Sequence, residues 1–595
     1  MSSEQLAQNP LPSTRRRREP SLSPPSYVLN KHGSRVLDPD SALRITGQRV
    51  RPTVYVGASL LVQASDLTET LRSELQRAAN QFNLRLGEES TDVELLNLAA
   101  EVDAGLERAK AAPDRGKSSP DQRDQWAARG EDSVSALAQR LVTTRIELVV
   151  LDETLPTPPP DAWQVLQTFR SQVSRDAELA HLKDLVTLDH LIIANADLGG
   201  TGYMGGTGYM GGTGYMGGTG YMGGTGYMGG TSPSFEYGAP GRGGRSPVSW
   251  ICPEPARCED GLFHDRRPVV AVLDTGAGKH EWLTDDIVER EPKVGNLPIG
   301  MTVAANGPSP ESEGAIDDPL EGVLDPDSGH GTFICGLIRQ TCPDANILVA
   351  RVMHGDGAVP ESDFLTTLNR LVIRQKIALF TVQPELLIDV LSLSLGYYHE
   401  LPADEAQDHR LLIPLGELGL LGVVMVAAAG NDATARHMYP AGFAPHSESQ
   451  LAARRNALPV ISVAALNPNK KSIALFSNAG EWVLCRRPGA AVVSSLPATL
   501  NGSLQPSAEV DVAGDGLRAT IDPDDFRGGF GTWSGTSFAA PILAGEIAQQ
   551  LVRSGGLKDL DLGAATERAW SAAAAVVNRG QGTLENAQPL MRPEA

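Results

Sequence analysis

The sequence predicts an α/β protein: a mostly parallel sheet with helices on both faces, preceded by a small α+β domain and a Gly-rich linker. Three observations carry this. Continuous apolar runs such as Val269–Leu273 and Val423–Ala429 are the mark of strands buried on both faces. Segments of helical period alternate with them, as a parallel sheet requires. A six-residue Gly-rich repeat separates this part from an earlier stretch with its own strand and helix signals.

The first 52 residues read as a disordered basic tail. Through Arg51 they hold nine Lys/Arg and four Asp/Glu, with Pro and Ser scattered among them. Residues 53–198 form the small α+β domain. Thr53 to Val62 is strand-like, Asp66-x-x-Glu69 has the pattern of a capping box, and Leu67, Leu71, Leu75, Ala78 and Phe82 recur at helical spacing. An apolar-periodic stretch from Val93 to Leu106 precedes a polar loop from Ala111 to Glu131. Ile146–Leu151 is a strand, and a Pro-rich turn leads to a helix bearing Trp163, Leu166, Phe169 and Val173. Leu191–Ile193 is the last strand.

Residues 199–245 are the linker. Gly-Gly-Thr-Gly-Tyr-Met runs five times from Gly199 to Met228, followed by Gly-Gly-Thr. Half of each copy is Gly and none is branched and apolar, so the repeat buries little and reads as a flexible spacer. As a coil it spans roughly 30 Å, enough to return the preceding domain to a cleft in the rest of the chain.

Residues 246–580 form the large domain, with 581–595 as a C-terminal tail. Val269–Leu273 ends in Asp274-Thr275-Gly276, which places Asp274 at a strand's carboxyl end. Ser328-Gly329-His330-Gly331-Thr332 leads into an apolar run and puts His330 at the mouth of a buried helix. Ile347–Ala350 is a strand, Phe364, Leu365, Leu368, Leu371 and Val372 share a helix face, and Val390–Leu393 is the next strand. Val423–Ala429 runs into Gly430-Asn431. Val460–Val463 is a further strand. Gly535-Thr536-Ser537-Phe538 opens an Ala-rich helix, and Trp570 lies on a closing one. Ser537 on a first helical turn has unpaired backbone N–H groups and the positive end of a helix dipole beside it, the position of a nucleophile. Singly, each residue has a structural alternative: Ser537 as an N-cap region, Asp274 as a turn former, His330 as a core-edge histidine, Asn431 as a left-handed cap. Together, at the carboxyl edge of an open α/β sheet, they form a catalytic set.

Asp274-Thr275-Gly276, His330-Gly331-Thr332, Ser394-Leu395-Gly396, Ala429-Gly430-Asn431 and Gly535–Pro541 together resemble the subtilisin-like serine peptidases, the subtilases, over roughly residues 265–580. The resemblance implies a subtilisin-like fold and a triad of Asp274, His330 and Ser537. It also implies an oxyanion site made by the Asn431 amide and the Ser537 N–H. Substrate would lie as an added strand on Ser394, Leu395 and Gly396, with Ala428 and Gly430 lining the primary pocket. Many subtilases have a second glycine after Ser-Leu-Gly, whereas Tyr397-Tyr398 stands here, bulk that would narrow the cleft. The order of elements in residues 53–198 loosely resembles the pro-domain of such peptidases, although the extra helix and long polar loop depart from it.

Serine endopeptidase is therefore the function expected, with a protein or peptide as substrate and residues 53–198 contacting the catalytic cleft. Two other readings stand beside it: a silent peptidase fold used as a binding module, and a protease effector gated by the N-terminal domain. A net charge of −21 argues against nucleic acid as a partner. No apolar run reaches the length of a membrane span and no signal-peptide pattern opens the chain, so a cytoplasmic location is expected. Five cysteines are read as reduced thiols, and Cys252 and Cys258 lack a second pair to complete a zinc site. Gly295–Asp327 and Leu500–Arg527 read as acidic loop insertions; structural calcium is conceivable there, but solvated loops are expected, with no metal and no cofactor.

Overall fold

The computed structural model describes residues 19–44, 49–111, 133–194 and 244–579, together with Tyr237 and apart from short interruptions. The Gly-Gly-Thr-Gly-Tyr-Met repeat, the C-terminal tail and most of the polar loop after Ala111 lie outside the described residues.

Part of the stretch expected to be a disordered tail is ordered. Helix α1 (Ser26–Lys31) and strand β1 (Ser34–Leu37) occur there, and β1 pairs antiparallel with β2 (Thr53–Gln63). Its few apolar residues give no periodic signal, but a neighbouring sheet edge supplies the backbone partners and Val28 and Leu37 are buried. Helix α2 (Glu69–Asn80) is capped by Thr68, whose hydroxyl accepts from the Leu71 N–H; Asp66, the expected cap, ends a short 3₁₀ turn instead. Then follow β3 (Leu84–Thr91), α3 (Val93–Ala111), α4 (Val134–Leu141), β4 (Thr143–Val150), α5 (Ala162–Val173) and β5 (Val186–Ala194). On α5, Trp163, Leu166, Phe169 and Val173 face one core with Leu71 and Leu75 of α2 and Leu60 and Val62 of β2.

The large sheet is parallel throughout. Its strands are β6 (Val269–Asp274), β7 (Val288–Arg290), β8 (Asn346–Arg351), β10 (Val390–Leu393), β12 (Val424–Ala428), β13 (Val460–Leu466) and β14 (Cys485–Pro488), in the order β14-β13-β12-β10-β6-β8-β7. Two short strands, β9 (Ala358–Pro360) and β11 (Leu395–Gly396), stand apart from it. Alternate residues of β6 serve different cores. Val270 and Val272 pack with Phe333 of α6 (His330–Thr341) and Phe538 of α9 (Thr536–Ser554), while Ala271 and Leu273 pack with α7 (Glu361–Thr381). Helices α8 (Leu412–Leu420) and α10 (Leu562–Arg579) complete the two faces. This is the α/β architecture expected.

The N-terminal part is built into this body. Leu61, Leu95, Ala99, Leu137 and Leu141 share one hydrophobic core with Phe364, Leu365, Leu368 and Leu371 of α7. Arg370 on α7 reaches Asp92 with two nitrogens, at 2.7 and 2.9 Å. Strand β5 runs on past β2 to pair antiparallel with both β9 and β11, so one sheet crosses from the first part of the chain to the second. Among the described residues, no helix is long and apolar enough to cross a membrane.

Because the core is shared, truncation of the fully buried Leu137 to alanine is expected to cost about 2–5 kcal/mol. Calorimetry checks it: the Leu137→Ala protein should show one transition at lower Tm, and a separate early transition for the N-terminal part would contradict a shared core.

Candidate active site

Asp274 ends β6, in register with Arg351 of β8, and is fully buried. His330 is the first residue of α6, after Gly329 at φ 81°. The helix start lies so close to the β6 turn that a Cβ at Gly331 would sit 2.0 Å from the Gly276 carbonyl oxygen, so glycine is needed there. This approach sets His330 Nδ1 2.8 Å from Asp274 Oδ1. Burial pushes the His330 ring down, but the charge and hydrogen bond of Asp274 outweigh it and hold the ring above its ordinary range. Oδ1 also accepts from the Thr275 N–H at 2.8 Å and lies 3.1 Å from the Thr275 hydroxyl. Trp533 and Phe538 flank the imidazole, with ring centroids 5.6 and 5.5 Å away.

Ser537 is the second residue of α9, buried, and among the first-turn amides that have no carbonyl within the helix to donate to. Asn431 follows β12 and reaches the same helix start: its Oδ1 accepts from the Thr536 N–H and hydroxyl, both at 2.9 Å. That fixes the amide and leaves Nδ2 as a buried donor without a partner among the described residues; His330 Nε2 is likewise unpartnered. The Ser537 hydroxyl donates to the Ser394 carbonyl at 3.3 Å, and the Ser394 hydroxyl donates to the Ser537 carbonyl at 2.8 Å. The structure thus gathers Asp274, His330, Asn431, Ser537 and Ser394 from five separate parts of the chain.

The pattern of the subtilase family matches residues 265–588, over half of the chain. The chain belongs to the subtilase family. A stretch of 235 residues, 38% of this subtilase, is 28% identical to the membrane-bound transcription factor site-1 protease of Homo sapiens, and the same figures hold for the proteins of that name from Rattus norvegicus and Cricetulus griseus. The match spans 18% of the length of these relatives.

Of the expected substrate-binding residues, Leu395 and Gly396 form β11, whose ladder partner here is β5 of the same chain. Gly396 and Gly430 both face Met438: a Cβ at Gly396 would meet Met438 Cγ at 3.0 Å, and one at Gly430 would meet Met438 Sδ at 2.5 Å. The thioether thus stands between two of the residues expected around the pocket, and Ala428 is buried on β12 beneath them. Tyr397 and Tyr398 turn inward. Tyr398 Oη donates to Asp432 at 2.6 Å, and the Tyr397 ring stacks on His190 at 4.5 Å.

His190 of β5, His399 and Glu400 form a buried group whose ligand-type atoms lie within 4.8 Å of one another, a geometry that could hold a metal. A second reading fits the contacts better. His190 Nδ1 is 2.7 Å from Glu361 and Nε2 is 2.9 Å from Glu400, while His399 Nδ1 accepts from the Leu401 N–H. An imidazolium between two carboxylates accounts for both ring nitrogens of His190. Sequence reasoning missed this group, as it missed Glu311 beside the Asp274–His330 pair; isolated His and Glu residues carry no local pattern.

The His190 contact has a pH signature. Burial disfavours its charge, yet the hydrogen bonds and charges of Glu361 and Glu400 push the ring up to about 10. A raised folded-state value means the contribution is complete below the unfolded value of about 6.5 and is lost as pH rises through about 10. The stability gap between wild type and His190→Gln, read from denaturant midpoints, should narrow over that window. A gap that widens toward alkaline pH would refute the imidazolium assignment.

Proposed function

We propose that this subtilase is a serine endopeptidase that cleaves peptide bonds through an acyl-enzyme on Ser537. The observation that carries the reading is the pair of buried, unpartnered atoms His330 Nε2 and Asn431 Nδ2 in the site that holds Ser537. Buried polar atoms are nearly always satisfied, so a base and a donor left unpaired together suit an incoming reacting group. The site-1 proteases that share the matched stretch carry a proteolytic name, which accords with it.

In this reading the Ser537 hydroxyl swings from the Ser394 carbonyl to His330 Nε2, a tightening usual when substrate arrives. His330 takes the hydroxyl proton as Oγ attacks the substrate carbonyl. Asp274 holds the Nδ1–H tautomer and stabilises the imidazolium. The oxyanion is met by Asn431 Nδ2 and the Ser537 N–H. His330 then protonates the departing amine, and water repeats the sequence to release the acid. Met438 against Gly396 and Gly430 narrows the primary pocket expected there, which accords with a preference for small or narrow side chains. A binding module built on the same fold would lack a reactive serine.

A fluorophosphonate should label Ser537 and no other residue, and Ser537→Ala should abolish peptide hydrolysis. Asn431→Ala should lower kcat by about 10²–10³ with little change in KM, a magnitude measured on a subtilisin and so belonging to this family. Labelling of the Ser537→Ala protein at the wild-type level would overturn the assignment, and an Asn431→Ala protein that loses only stability would reduce that residue to a cap.

A gated enzyme is the second reading, and β5 favours it. Ile193 and Ala194 pair with Gly396 and Leu395, the strand on which substrate is expected, and the Ala194 N–H donates to the Gly357 carbonyl at 2.7 Å. Ala194 thus lies one ladder step from Ser394, whose carbonyl holds the Ser537 hydroxyl. The chain's own strand fills the cleft as a peptide would. Ile193→Pro in the full chain removes a ladder donor. Labelling of Ser537 and peptide hydrolysis should both rise in that variant, and unchanged rates with β5 displaced would dismiss the gate.

A further inference from the structure

The loop between Gly295 and Asp327, expected to be solvated, buries three carboxylates, Glu311, Asp325 and Asp327, and Glu311 is the one in contact with the threonines beside the Asp274–His330 pair. It touches two threonines that follow the motif residues. The Thr275 hydroxyl is in short contact with Oε1, and the Thr332 hydroxyl with Oε2. Both threonine oxygens already accept a backbone N–H, Thr275 from Gly331 at 2.9 Å and Thr332 from Gly278 at 2.7 Å.

The protons available to these contacts can be counted. Thr332 has one hydroxyl proton, and Glu311 Oε2 receives it. Thr275 also has one, yet its oxygen faces two carboxylates, Glu311 Oε1 and Asp274 Oδ1. With both carboxylates ionised, one of these contacts holds no hydrogen between two electron-rich oxygens. A proton on Glu311 Oε1 resolves the conflict: Glu311 donates to Thr275, and Thr275 donates to Asp274. Every contact is then a hydrogen bond with one donor.

We propose that Glu311 is a positioning residue that carries this proton in the working enzyme and, through the Thr275 hydroxyl, directs a hydrogen bond onto Asp274. This rests on the reading of Asp274, His330 and Ser537 as the catalytic set. When Glu311 ionises, the Thr275 hydroxyl turns to it and Asp274 loses one of the three contacts on Oδ1. The groups facing Glu311 are Asp274 from β6, His330 and the Cys335 thiol from α6, and Arg351 from β8. Burial raises the Glu311 carboxyl, the two hydroxyls lower it, Asp274 raises it and Arg351 lowers it, with the result at about 7. The proton is therefore held below neutrality and lost above it.

Glu311→Gln tests the proposal, because its amide can place a donor toward Thr275 and an acceptor toward Thr332, as the protonated acid does, and cannot ionise. The ratio of kcat/KM for Glu311→Gln over wild type, followed from about pH 5.5 to 9 with a peptide substrate, should rise across neutrality by about two- to tenfold, the worth of one hydrogen bond. The same ratio taken between Thr275→Val/Glu311→Gln and Thr275→Val should stay flat with pH, and on a Thr275→Ser background it should still rise. The infrared carbonyl band of a protonated carboxylic acid should be present in wild type at about pH 6, fade by about pH 9, and be missing from Glu311→Gln, a readout that needs no turnover. A flat ratio together with no such band would overturn the proposal. If instead the fluorophosphonate fails to label Ser537 even in the Ile193→Pro protein while the band still titrates, the catalytic reading fails and the assignment of the proton to Glu311 stands.

Discussion

Removing a carboxylate from water costs several kcal/mol unless donors surround it, and this fold buries carboxylates wherever two parts of the chain must meet. Asp189 accepts from Ser59 of β2 and from the N–H and hydroxyl of Ser362 on α7. Glu361 and Glu400 bracket His190, and Asp356 receives Lys31 and His32 from the first ordered residues. The contacts of Asp189 and His190 tie β5 in its register against the large domain, and those of Asp356 tie down the first ordered residues. Asp274 belongs to the same class, with His330 Nδ1 and the Thr275 N–H against its Oδ1.

The position of β5 follows from that register. Strand edges left open by β9 and β11 offer unpaired backbone groups, and the chain supplies its own strand to them. The shared core beneath α7 then makes the N-terminal part a structural component of the body and more than a weight on a tether.

Much of the catalytic part was legible because its signals are local. Apolar runs that end in Asp274 or lead to Asn431 are strands delivering a polar residue to a sheet edge. His330 and Ser537 open helices whose small residues permit close packing. The ordered segment from Ser26 to Leu37 was not legible, since its pairing with β2 depends on an edge supplied from outside the segment. The cap of α2 moved from Asp66 to Thr68 for a related reason: Ala64 donates to the Val142 carbonyl, which draws the strand end into a 3₁₀ turn first.

By itself the sequence determined the principal strands and helices around the site, the family resemblance and the identity of the four residues at the sheet edge, because each is written in a run of adjacent residues. Only the tertiary structure decided that β5 pairs with Leu395 and Gly396, that Met438 stands between Gly396 and Gly430, and that Glu311 lies against Thr275 and Thr332. These are contacts between side chains far apart in sequence, and their energy comes from burial and from matching each donor to an acceptor, terms that exist only once the chain has closed on itself.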